Sequence, residues 1–129
     1  QFEEFSGAYV RQISRAVHAI SLLHVCGDTT HLVEKMCETG VEGLSLDSRV
    51  DFPAVAARLK NDVALIGNLD PVRVMRDLTP DGVAGETRLF LEKTRGIRNL
   101  VVSTGCDLPQ DTPIENIRVM IEETKRFRL

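Results

Sequence analysis

Hydrophobic and polar positions fall into two rhythms along this chain. Four short apolar runs, at residues 19–26, 43–47, 63–68 and 99–105, are partly β-branched and bounded by Gly, Asp or Asn. Strands buried in a parallel sheet read this way. The segments between them carry apolar residues at helical spacing. Residues 29–39 bring Leu32, Val33, Met36 and Cys37 to one face, and Gly40 stands where a helix-ending glycine belongs. Further helices are predicted over 52–60, from Asp70-Pro71 to residue 78, and from Thr79-Pro80 to residue 95, stopped by Gly96. For the last helix, 112–127, Thr112-Pro113-Ile114-Glu115 reads as a capping box with proline at the first helical position. Residues 2–17 are helical in pattern as well.

Strand and helix in alternation predict successive βα units around a parallel sheet, an α/β fold. The chain of 129 residues suffices for one compact domain, 1–129, and no linker or low-complexity segment divides it. Four βα units fit either a small open sheet or half of an eight-stranded barrel, and periodicity does not choose between them.

The polar residues add a second pattern. Residues two apart on a strand share a face, so His24 and Cys26 point the same way at the carboxyl end of the first run. The other runs end in Ser45 and Asp47, in Asn68 and Asp70, and in Thr104 and Cys106. Each strand therefore finishes in polar, potentially ligating groups at the edge where parallel α/β folds place their active sites. Imidazole and thiolate are good zinc ligands, and a catalytic zinc site takes three protein ligands and keeps one position open. His24, Cys26 and, across the sheet, Cys106 would supply such a set. The spacing is not that of a zinc finger, so packed, chemically idle cysteines compete with this reading. Cys37, in the middle of an apolar helix face, reads as packing. His18 and His31 read as surface or structural residues, and Asp47 and Asp70 compete as caps of the segments that follow them.

Composition narrows the partners. A formal charge of -3 gives no basic stripe for nucleic acid, and no run of about 18 apolar residues could span a membrane. Three well-separated cysteines, an odd number, do not make a disulfide scaffold. A reduced, cytoplasmic setting is expected, and the opening QFEEFSGAYVRQ does not look like a signal peptide.

Taken in order, "HVCGDTTHLVEKMCETG", "GLSLD", "VALIGNLDPV" and "STGCDLPQDTPIENI" resemble the C-terminal part of the uroporphyrinogen decarboxylase superfamily. More narrowly, they resemble its corrinoid-dependent methyltransferase branch, that of the methylcobamide:coenzyme M methyltransferases. The resemblance implies the last four βα units of a TIM (β/α)8 barrel, beginning inside the helix before the fifth strand, with the N-terminal half absent from this chain. Half a barrel has two open strand edges, so a homodimer or a second chain is expected to cover them.

The decarboxylases carry histidine in a "GHG"-type segment where this chain reads Thr104-Gly105-Cys106, and they lack the His-x-Cys pair. The methyltransferases carry both cysteine features as zinc ligands. The resemblance thus implies Zn2+ on His24, Cys26 and Cys106, with Asp47 as a transient fourth ligand or an orienting group, and Asn68 and Asp70 as pocket residues. It implies a methylated corrinoid, a corrinoid protein as partner, and a thiol such as coenzyme M as methyl acceptor. A decarboxylase-like lyase acting on a tetrapyrrole, a non-catalytic docking module and a flavodoxin-like regulatory domain stand as alternatives. The last lacks its usual glycine-rich loop, since "CGDTTH" has one glycine.

Overall fold

The computed structural model describes residues 1–59 and 62–127. The four apolar runs form strands β1 (Leu22–Val25), β2 (Gly43–Leu46), β3 (Ala64–Leu69) and β4 (Leu100–Thr104). Helices α1 (Ala8–Ala16), α2 (Val33–Cys37), α3 (Phe52–Ala56), α4 (Pro80–Lys93) and α5 (Ile114–Arg126) lie before, between and after them. The strands are parallel and stand in the order β1-β2-β3-β4. Crossovers of one hand in an order that never reverses leave the helices on one side of the sheet. A flavodoxin-like sheet would run 2-1-3-4-5, so that alternative is excluded.

The register makes the sheet one-sided. Leu23, Leu44, Leu65 and Leu100 stand side by side across the four strands, with Val25 beside Leu46. Leu44, Leu46 and Leu65 are buried together with Val33 and Met36 of α2 and Phe52 and Val55 of α3. Each such side chain removed from water stabilises the fold by about 1.5–3 kcal/mol. A second cluster, Leu69, Val74, Met75, Val83 and Met120, gathers between the end of β3, α4 and α5. The other face of the sheet stays open. Leu22 on β1 is 56% exposed, Val101 on β4 is 50% exposed, and Ile20, just before β1, is 79% exposed.

Several elements are shorter than their patterns predict. Asp28 accepts from both the amide and the hydroxyl of Thr30, a local turn that competes with helix, and α2 starts only at Val33. Gly40 has φ +85°, the helix-ending conformation expected there. Asp51 caps α3 through the Ala54 amide, but turns replace the helix after Ala56. The predicted end at residue 60 lies outside the described residues.

No helix forms over 71–78. Asp70 Oδ1 takes the Val72 and Arg73 amides, and its carbonyl takes both Val74 N and Met75 N. This mixture of spacings is a run of turns. The predicted capping box also fails to form. Thr112 N donates to Pro109 O within the preceding turn, so Pro113 becomes the N-cap of α5. The Thr112 hydroxyl has no hydrogen-bond partner among the described residues. At the N-terminus, a π-helical turn, Glu3–Gly7, precedes α1. Among the described residues no helix is long and apolar enough to cross a membrane.

Candidate metal centre

At the carboxyl edge of the sheet, β1 ends and its chain turns at Gly27, where φ is +85°. His24 projects from β1 on the open face, and Cys26 follows the last strand residue by one. Cys106 comes from the bend after β4, two residues past the last strand residue, Thr104. Gly105 N extends the ladder by donating to Leu69 O at 2.8 Å. Thr104 Oγ1 then donates to Cys106 O at 2.7 Å and closes a tight turn. That turn swings the Cys106 side chain toward β1, across eighty residues of sequence.

The three donors meet. His24 Nε2 lies 3.2 Å from Cys26 Sγ and 3.8 Å from Cys106 Sγ, and the two sulfurs are 3.3 Å apart. All three cysteines of the chain are free thiols. His24 Nδ1 lies 3.1 Å from the Ser45 carbonyl and 2.9 Å from its hydroxyl. A carbonyl can only accept, so Nδ1 carries the ring proton and Nε2 presents its lone pair to the sulfurs. Imidazole with two thiol groups is a donor set for a borderline-soft transition metal.

The hydrogen bond to Cys106 raises the Cys26 thiol above its ordinary value, and desolvation and the charges of Cys106, Asp47 and Asp107 act in the same direction. Burial would raise Asp47 too, but the Gly27 and Arg49 amides, the Arg49 charge and the Ser48 hydroxyl outweigh it and hold that carboxyl below its usual range. Asp47 Oδ2 takes the Gly27 amide at 2.8 Å and Oδ1 takes the Arg49 amide at 3.0 Å. Both oxygens therefore hold loop backbone next to the donors.

The remaining sequence candidates lie apart from the triad. Asn68 is buried, and its Nδ2 donates to Asp47 O at 2.9 Å and Val50 O at 2.7 Å. Asp70 caps the turns after β3, as its capping alternative anticipates. Both line a cavity of about 700 Å³ between the β2 and β3 loops and α4. The triad is not part of that cavity's wall; it stands on the open face of the sheet. His18 and His31 are exposed, and Cys37 packs against the main core. The sequence pattern named Ser45 as a strand-end polar residue without giving it a role. Its bond to His24 follows from the β1–β2 register, which pairs the two residues directly.

Comparison with known proteins adds four findings. The family model described as uroporphyrinogen decarboxylase (URO-D) matches residues 1–127. The methylcobamide:CoM methyltransferase MtbA of Methanosarcina acetivorans is 33% identical over 98% of this chain and 37% of its own length. A uroporphyrinogen decarboxylase of Prochlorococcus marinus is 30% identical over 96% of this chain and 36% of its own length. The chain thus spans little more than a third of the curated relatives it matches. A solved methyltransferase from Methanosarcina mazei superposes with a TM-score of 0.83 over 96% of this chain and 36% of that one, at 23% identity, which shows a shared fold.

Proposed function

The chain belongs to the uroporphyrinogen decarboxylase family, and from that premise we propose that it carries the zinc site of a corrinoid-dependent methyltransferase. The observation that carries this reading is the convergence of His24, Cys26 and Cys106. A tetrahedral zinc ion bound by one nitrogen and two sulfurs separates its donors by roughly 3.5–3.8 Å. The separations here, 3.2, 3.3 and 3.8 Å, need shifts of only a few tenths of an ångström to match. A zinc ion held there would stabilise a substrate thiol as its thiolate, the nucleophile for a methyl group carried by a corrinoid.

This chain's own residues supply the rest. His24 offers Nε2 because Ser45 holds Nδ1–H. Cys26 and Cys106 would hold the ion as thiolates, having released their protons. Asp47 orients the Cys26–Gly27 turn through its amide bonds, and its remaining lone pairs would let it serve as a transient fourth ligand. Asn68 and Asp70 are assigned to the pocket wall. A corrinoid protein and a small thiol such as coenzyme M are the proposed partners, in a cytoplasm that keeps the cysteines reduced.

In the same reading the chain is the last four βα units of a (β/α)8 barrel. The unreversed parallel order, the open face with Leu22 and Val101, and the third-length match to relatives support this. The missing strands, or a second copy of the chain, would cover the two edges.

Metal analysis of the purified intact protein tests the proposal. About one equivalent of zinc is expected, and Cys106→Ser should weaken binding by more than the roughly 10–100-fold of a supporting-residue change. Unchanged zinc in Cys106→Ser, or none in the parent, would overturn it. The decarboxylase reading keeps one observation in its favour, the 30% identity to a named decarboxylase. Release of carbon dioxide from the carboxylate side chains of a tetrapyrrole, with no methyl transfer to a thiol, would establish it instead.

A further inference from the structure

Strand β2 contributes none of the three donors, yet its carboxyl end touches the support of every one. Ser45 reaches His24 Nδ1 with both its carbonyl and its hydroxyl, the hydroxyl being the nearer at 2.9 Å. Asp47 Oδ2 holds the amide of Gly27, the residue after Cys26. The backbone at Asp47–Ser48 lies directly against Gly105, the residue before Cys106. A Cβ built at Gly105 would collide with Ser48 N and come within 2.9 Å of the Asp47 carbonyl carbon. Three different contacts, a side-chain bond, a carboxylate–amide bond and a steric close approach, thus converge from one four-residue segment.

The segment is itself held in place. Asn68, buried on β3, donates its amide to Asp47 O and Val50 O and ties the loop after β2 to the next strand. Ser48 Oγ and the Arg49 amide complete the shell of Asp47 Oδ1. The donors lack such constraint on their own side. His24 and Cys26 are exposed on an open sheet face, where an imidazole could turn about its side-chain bonds.

We propose that the β2 end, residues 45–48, is the template that sets the three donors in register, and that the Ser45 hydroxyl is the positioning group for His24. This rests on reading the triad as a metal centre. The hydroxyl and the carbonyl together give Nδ1–H two acceptors on one residue. The ring is then pinned in the orientation that aims the Nε2 lone pair at the sulfurs. Without the hydroxyl, the carbonyl alone at 3.1 Å holds the proton, and the ring gains freedom to swing away.

The test is a metal titration of the intact protein, with Zn2+ in competition with a chelator and Co2+ as the spectroscopic probe. Ser45→Ala is expected to weaken Zn2+ binding by about 10-fold, the low end for loss of a histidine-orienting partner. The visible bands of the Co2+ form should shift as the nitrogen ligand moves, and Ser45→Thr, which restores a hydroxyl, should keep both affinity and spectrum near the parent's. A parent that binds about one equivalent while Ser45→Ala leaves affinity and spectrum unchanged overturns the positioning role and leaves the metal centre standing. Equal losses in Ser45→Ala and Ser45→Thr also overturn it, since the hydroxyl would then not be the agent. A parent that binds neither ion overturns the metal centre itself, and the positioning role falls with it.

Discussion

Gly105 is the residue on which the candidate centre depends most closely. Its missing side chain lets the β4 turn lie against the Asp47–Ser48 backbone, and the neighbouring Cys106 reaches the triad from that position. Gly105→Ala should cost about 1–3 kcal/mol of stability, the usual penalty for forcing atoms into filled space. It should also displace Cys106, so zinc affinity should drop together with the unfolding midpoint. A variant with full stability and full zinc binding would mean that the close approach is not required. At this scale His24, Cys26 and Cys106 were readable as candidates from residue type and position at strand ends, and the family resemblance favoured them over packed, idle cysteines. Asp47 was readable only as a candidate, because a carboxylate at a strand end can ligate, cap or orient. Its two amide partners, which show that it holds loop backbone beside the donors, come from loops in different βα units.

Among the elements, α2 offers a direct test through Cys37. Burial, followed by the charges of Asp62, Glu34 and Glu38, pushes this thiol from its ordinary 9.0 up to about 11. The unfolded chain therefore releases this proton first as pH rises. The native state keeps the associated stability below pH 9 and loses it between 9 and about 11. Urea unfolding midpoints should fall across that window, and Cys37→Ala should flatten part of the fall. An identical slope in the variant would show that Cys37 contributes nothing to it. Strand positions were legible because an apolar run five to eight residues long, bounded by Gly, Asp or Asn, has few other uses. The helix ends were legible only in part: α4 starts at Thr79-Pro80 and α5 ends within a residue of the expected position, but α2 and α3 are shorter than their patterns. The Asp28 turn with Thr30 and the Asp70 turns compete with helix through local hydrogen bonds, and both start from residues that also favour helix caps, while Thr112 closes a turn begun at Pro109.

For the whole molecule, the exposed apolar surface makes the sharpest prediction. Phe5, Tyr9, Ile13 and Val17 recur every four residues along the N-terminal helical segment and are between 47% and 68% exposed. Ile20, Leu22 and Val101 add the open sheet face. If these surfaces belong inside a larger barrel, the 129-residue chain in isolation should self-associate as its concentration rises and should bind a hydrophobic dye. Sedimentation and dye fluorescence would show it. A sharply monomeric chain with no dye binding would count against the half-barrel proposal. The proposal also explains why the cavity of about 700 Å³ and the triad do not share a wall. In a closed barrel the open face would be enclosed by strands this chain does not have.

Residue order alone was enough to place four strands, to assign them to a parallel α/β sheet and to pick out His24, Cys26 and Cys106. Hydrophobic period and side-chain parity are local properties, and they survive without any knowledge of what packs on what. The order of the strands, the partner of each donor and the space around Gly105 are not local. They depend on register and on backbone approach between segments twenty to eighty residues apart. Only the folded sheet brings Ser45 beside His24 and Asp47 beside Gly27, turning three separate donors into one site.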